Sequence, residues 1–310
     1  MASSPMISEQ YARYVLPIIR KTWDAAANAP SGFEGLFGME TSNASVEYSQ
    51  GMGGTGLVQK YNSDDAEGEP AAIKHSSFDQ LYEKTFTHDE YADIMSIERK
   101  LFDDDQSRII RQRAQSFGNK FNATIAYHKA SVFNNAFSAS YVGGDAVALC
   151  SASHPLSKRN ATTWSNAGST AFSYAAVTAT QQAGLDMDDD KSLPIPVIYD
   201  TLIVPNALRA KALEIVNAQA KPGTANNDAN ALQEDRPLQM IVSPWLSDAN
   251  NWFMVDSRMA PQHLLWFWRV APEVDLDPSS KFYLRADYRG YMRFSYGWDD
   301  ARWIYGHEVA

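Results

Sequence analysis

The chain is 310 residues long, 45% hydrophobic and 12% aromatic, which excludes a disordered protein and allows one elaborate domain or two smaller ones. Its 27 basic residues against 37 acidic ones leave a formal charge of −10, so the overall field does not wrap a polyphosphate, although it permits enclosing nucleic acid without adhering to it. The one cysteine, Cys150, has no intramolecular disulfide to make, and the most apolar stretch, Leu264-Leu265-Trp266-Phe267-Trp268, is far too short to cross a bilayer.

Gln10 to Asn28 is an amphipathic piece with Tyr14, Ile18 and Ala25 among its apolar positions and Pro17 near its start. It gives way to Pro30-Ser31-Gly32-Phe33 and reads as an arm, not as a core element. In residues 48–76, Gly51, Gly53, Gly54 and Gly56 lead into the acidic, turn-rich Asn62-Ser63-Asp64-Asp65-Ala66-Glu67-Gly68-Glu69-Pro70. Strand-like Leu57 to Tyr61 and Ala71 to Lys74 flank that turn, which predicts a long exposed β-hairpin. An open loop of that length is costly unless something covers it, and the natural cover is another subunit.

Phe86 to Ile94 runs strand-like toward Asp103-Asp104-Asp105, which stand at the start of the longest helical pattern, Gln106 to about Phe137. Its apolar positions Ile110, Ala114, Phe117, Phe121, Ile125, Tyr127/His128, Val132 and Ala136 keep a three-four spacing, and carboxylates at its start suit the helix dipole. At 1.5 Å per residue that is roughly 45 Å of helix, long enough to be a spine. Beyond Gly143-Gly144 the pattern is mixed α/β: Val197 to Val204 is a buried-strand candidate, Ala207 to Ala218 a helix, and Leu238 to Val242 and Trp252 to Val255 further strands.

From Phe282 to Trp298 every even position is apolar or glycine, the period of a strand with one wet face. Seventeen residues at about 3.3 Å each would reach about 55 Å, so Gly290 is expected to bend this strand or split it in two. Taken alone, the stretch also suits an ordinary β-rich enzyme that ends in a long hairpin.

No catalytic constellation emerges. Gly51, Gly53 and Gly56 satisfy G-x-G-x-x-G, but no helix follows to place its N-terminus on a pyrophosphate. Asp186, Asp188 and Asp190 begin like a calcium loop, yet Lys191 and Val197 occupy the places that need Gly and Glu, leaving a solvated acidic turn as the reading. The six histidines show no metal-ligand pair, and Ser151-Ala152-Ser153-His154 is no nucleophile elbow. Cys150 reads as a small buried thiol. Lys60, Lys74 and Lys84, in or beside the hairpin, suit contacts with acidic neighbours or plain solvation.

The order of arm, glycine-rich hairpin, spine helix, mixed region and long closing strand resembles a tailed-bacteriophage major capsid protein of the HK97-like fold. Local wording agrees: Cys150-Ser151-Ala152-Ser153-His154-Pro155-Leu156 followed by Trp164-Ser165-Asn166, Leu202-Ile203-Val204-Pro205-Asn206-Ala207-Leu208 with Asn206 in place of a second proline, and Asn227 to Leu232. The ending Phe294-Ser295-Tyr296-Gly297-Trp298-Asp299-Asp300-Ala301-Arg302-Trp303-Ile304-Tyr305-Gly306 fits as well. No single motif is diagnostic; the ordered set, covering nearly the whole chain, is.

The resemblance implies an α+β capsid fold with residues 1–45 as an N-terminal arm and 46–85 as an extended loop overlapping a neighbouring subunit. Residues 86–189 and 266–310 would form a peripheral domain with spine helix 106–138, and 190–265 an axial domain that meets its copies at five-fold and six-fold centres. It implies a structural subunit that assembles as pentamers and hexamers into an icosahedral phage head around double-stranded DNA, located in the virion and assembled in the host cytoplasm. No enzyme activity, cofactor, metal or membrane is expected. Subunit contacts are expected at Gly51, Gly53, Gly54, Gly56, Lys60, Lys74, Trp266 and Trp268. Portal, decoration and a separate scaffolding protein are the further partners. An encapsulin-like cellular nanocompartment shares the fold and is the first alternative; a soluble β-rich enzyme is the second.

Overall fold

A computed structural model describes residues 8–52, 57–58, 80–104, 107–158, 162–218, 230, 232, 237–277 and 285–310. Helix α1 spans Ser8–Ala27, followed by strands β1 (Gly38–Thr41), β2 (Val46–Met52), β3 (Gln80–Thr87) and β4 (Asp89–Glu98). After the short helix α2 (Arg99–Asp103) comes the spine α3, Ser107–Asn134. Its 28 residues at 1.5 Å each make about 42 Å, close to the expectation, although it begins after the three aspartates, with no carboxylate in its first turn.

Ile110, Ala114, Phe117, Phe121 and Ile125 form the buried stripe of α3, as their spacing requires. Helix α1 packs across that stripe. Trp23 is fully buried, with its ring 5.2 Å from Phe121 and 6.4 Å from Phe117. Gly118 makes the close crossing possible, since a Cβ there would lie 2.6 Å from the Trp23 carbonyl oxygen. The expectation of a free arm is therefore corrected: from Ile19 onward, α1 is part of the main core because its apolar face has a partner inside the same chain.

A four-stranded sheet, ordered β1-β11-β12-β4, lies against these helices, with β11 spanning Leu264–Leu276 and β12 spanning Arg285–Trp298. Gly290 neither bends nor splits β12. The ladder to β4 runs unbroken from Arg285↔Glu98 to Phe294↔Asp89, with Gly290 opposite Asp93. A Cβ at Gly290 would stand 2.5 Å from Phe121 Cζ, so the missing side chain admits the spine aromatics onto the sheet. The irregularities lie on the other side of β12, in β11 between Trp268 and Val270 and between Val270 and Glu273.

The second sheet has the order β7-β13-β10-β8-β9, from Ala167–Gly168, Ile304–His307, Trp252–Val255, Thr201–Pro205 and Gln239–Ser243. Every residue of β8 is buried, because both faces are covered. Leu202 and Val204 face a core with α4 (Tyr174–Leu185) and α5 (Arg209–Asn217), while Ile203 joins Phe253, Phe133 and Cys150 in the main core. Two short strands, β5 (His154–Pro155) and β6 (Thr163–Trp164), pair beside it. This sheet draws on both sides of the expected boundaries: β7 and α4 come from 86–189, and β13 from 266–310. Pairing with β10 carries the chain's end across to the second sheet.

Candidate assembly surfaces

β2 and β3 form a two-stranded ladder of their own, from Val46↔Thr87 to Met52↔Gln80, which is the root of the expected hairpin. The expected contacts Gly53, Gly54, Gly56, Lys60 and Lys74, and the acidic turn, lie outside the described residues. Gly51 lies in β2 and lines a small cleft with Tyr82, Asp145, Trp298, Asp299 and Arg302. Beyond the root, Leu57 and Val58 are 78% and 100% exposed, so two apolar side chains stand without cover among the described residues.

The root is held to the body by polar bonds and close packing. Ser49 Oγ donates to Asp299 Oδ2 at 2.6 Å, and Asp299 Oδ1 meets His263 Nδ1 at 2.9 Å. Burial pulls the His263 pKa down, but the bond to Asp299 and the charges of Asp300 and Asp299 outweigh it, and the net shift is upward. Burial likewise acts against the charged form of Asp300, but Arg302 and His263 overcome it and hold its pKa below the usual carboxylate range. On β3, Phe86 packs against Phe267 at 5.2 Å, and Lys84 Nζ donates to the Val142 carbonyl at 2.7 Å. Lys84 is thus turned into its own chain, and burial lowers its pKa. Gly144 fits so closely that a Cβ would lie 2.7 Å from the Glu83 carbonyl oxygen.

The two expected tryptophan contacts part company. Trp266 is fully buried, stacked on Phe294 at 4.5 Å and Tyr296 at 5.3 Å, so it is a core residue with no face for a neighbour. Leu264, Leu265 and Phe267 are buried as well, because β11 is an inner strand covered on both faces. Trp268 is half-buried at the rim, edge-on to Trp266 and Phe294. Period-two reasoning applied to β11 separates nothing here, since a doubly covered strand has no wet face.

Sequence reasoning missed an exposed aromatic pair. Tyr127 on α3 and Trp245 after β9 are 53% and 39% exposed, with rings 6.4 Å apart. Asn134 fixes their connection, donating to the Trp245 carbonyl at 2.9 Å and accepting from Ser247 N–H at 3.0 Å. Tyr127 shares a place in the helical pattern with His128, and only packing shows that His128 is the one turned to the sheet, 3.0 Å from the Tyr296 hydroxyl.

Cys150 is buried, and burial pushes its thiol pKa up, away from nucleophilic use. His154 meets Asp145 at 2.7 Å and stacks on Trp164. Asp189 spends its carboxylate on the backbone N–H groups of Lys191 and Leu193, as in a turn. Among the described residues no group of three His, Cys, Asp or Glu side chains is placed to hold a metal, and no helix is long and apolar enough to cross a membrane.

The family described as phage capsid protein matches residues 82–306. Among solved structures, the bacteriophage JBD30 capsid aligns with a TM-score of 0.56 and 14% identity, covering 72% of this chain and 93% of that one. The capsid of cyanophage P-SCSP1u gives 0.56 and 14% over 90% and 88% of the two chains. A virus-like particle from Pyrococcus furiosus gives 0.53 and 9% over 94% and 98%. At such identities these likenesses speak for the fold. No curated protein sequence matches the chain.

Proposed function

The chain belongs to the phage capsid protein family and has the HK97-like fold, and from that premise we propose that it assembles as pentamers and hexamers into an icosahedral head that encloses double-stranded DNA. As a capsid protein it is a structural shell subunit of the virion. The observation that carries the finer reading is the hairpin. Its root is bolted to the body through Ser49, Lys84 and Phe86, while Leu57 and Val58 beyond it stand uncovered among the described residues. A neighbour that covers them gains apolar burial, repeated at every subunit by symmetry.

In this reading residues 46–85 overlap a neighbouring subunit, with Gly51, Gly53, Gly54, Gly56, Lys60 and Lys74 at or near that contact and Trp268 at the sheet rim. The four-stranded sheet with α1 and α3 forms the peripheral unit, and the five-stranded sheet with α4 and α5 the axial unit. Assembly takes place in the host cytoplasm, with portal, decoration and scaffolding proteins as further partners.

Electron microscopy and sedimentation of the purified protein test this. Closed particles tens of nanometres across, or pentamers and hexamers, are expected. A well-behaved monomer or dimer, even with a scaffold supplied, would overturn it. Particles filled with a protein cargo in place of DNA would mark a cellular compartment. Deleting residues 50–70 is expected to abolish shells while leaving a folded subunit.

A further inference from the structure

Helix α3 contains no aspartate or glutamate between Ser107 and Asn134, yet it carries Arg108, Arg111, Arg113, Lys120 and Lys129. These five cations sit on one helix of a chain whose formal charge is −10. Lys129 is buried, and Lys120 pairs with Asp93. Arg108, Arg111 and Arg113 are exposed, and among the described residues no carboxylate pairs with any of them.

At 100° per residue, Arg108, Arg111, Gln112, Gln115 and Asn119 share one arc of roughly 100°, opposite the buried stripe. All five are exposed. The face offers guanidinium and carboxamide donors along about 16 Å of axis, with no carboxylate and no apolar side chain among them. Within α3 itself no carboxylate offsets this arrangement. Like charges three residues apart repel, and cations in the first turns oppose the helix dipole. A protein–protein interface is built around buried apolar and aromatic anchors, which this face lacks. A phosphate backbone needs neither, and duplex DNA presents one charge per about 1.7 Å of its axis.

We propose that the exposed Arg108–Arg111–Asn119 face of α3 is a sequence-independent contact for the phosphate backbone of duplex DNA. The proposal rests on the shell reading above, in which the duplex is the enclosed genome. An acidic shell then keeps the duplex free to slide over most of its area and holds it at a few repeated points. Each contact is weak and depends on salt, and the copies of the shell multiply it.

The test measures binding of the unassembled full-length protein to a short mixed-sequence DNA duplex as salt is raised. The parent is compared with an Arg108→Gln/Arg111→Gln variant and with the corresponding double Lys variant. The parent is expected to show a log–log salt slope of about −2, for two phosphates. The Gln variant is expected to be nearly flat and the Lys variant to keep the slope. Equal slopes for parent and Gln variant would overturn the proposal. A second probe is a peptide of residues 62–69, which carries Asp64, Asp65, Glu67 and Glu69. Arginine-dependent binding of that peptide with none of the duplex would overturn the proposal in favour of a contact between subunits. Failure of the parent to form shells would sink the shell reading, and the salt slope would still decide the stripe.

Discussion

Lys129 Nζ donates to Ser31 Oγ at 2.7 Å and lies over the rings of Phe37 and Trp266, 5.6 and 5.9 Å from their centroids. One ammonium, 3% exposed, thereby ties the segment after α1 to the spine helix and to β11. Burial lowers its pKa, and the charge of Glu34 opposes that.

The two partners of that bond should respond unequally to substitution. Ser31→Ala leaves a buried cation without its hydrogen bond and is expected to cost about 1–3 kcal/mol. Lys129→Met replaces the cation by an apolar side chain of similar length and is expected to be near neutral or stabilising. Urea unfolding of the unassembled chain measures both, and a larger loss for Lys129→Met would contradict the expectation.

Gly290→Ala forces a Cβ to within 2.5 Å of Phe121 Cζ and 3.1 Å of Phe117 Cζ. Overpacking of this kind costs about 1–3 kcal/mol. Adding Phe121→Leu removes the clash and is expected to recover part of the loss in the same unfolding assay. A simple sum of the two single losses would show that the contact is not the cause.

Gly144→Ala pushes against the Glu83 carbonyl at the hairpin root, where the backbone has little room to give. The subunit is expected to keep its fold, since both main cores lie elsewhere. The yield of closed particles, counted by electron microscopy, should fall several-fold. Unchanged assembly would show that the seating of the root is not what positions the hairpin.

His307 stacks on Trp252 with centroids 4.0 Å apart and meets Thr180 Oγ1 through Nε2 at 2.8 Å. Burial lowers its pKa from 6.5 to about 4. The unfolded chain therefore binds this proton first, and the contribution is present above pH 6.5 and lost as pH falls toward 4. Between pH 7 and 5 the loss is about 2 kcal/mol. Burial shifts His88 and His128 the same way, while the raised His263 opposes them. Comparing the parent with His307→Gln at both pH values isolates the histidine: the variant should lose less stability on acidification, and an equal loss would refute the assignment.

Local periodicity carried much of the architecture. The hairpin was expected from glycines and turn residues, and its expected strands lie outside the described residues apart from Leu57 and Val58, which are in no strand. By contrast, the three-four spacing from Ile110 to Ile125 predicted the spine and the alternation up to Trp298 predicted β12. These patterns are legible because each element buries one face, and its period is written in neighbouring residues. They also carried the family resemblance, which depends on order along the chain.

What covers each face was decided only in three dimensions. Trp266 and Trp268 are two residues apart on one strand, and only the stacking of Phe294 and Tyr296 makes the first a core residue and leaves the second at the rim. The apolar stripe of α1 is the same whether it meets a neighbour or α3, and the close approach at Gly118 settles it as core. Gly290 suggests a bend in a strand until Phe121 from α3 fills the space over it. The closing residues look continuous with β12, yet β13 pairs with β10 in the other sheet. In every case the period of a segment records that a face is buried, while the identity of the covering element depends on pairings between residues far apart in the chain.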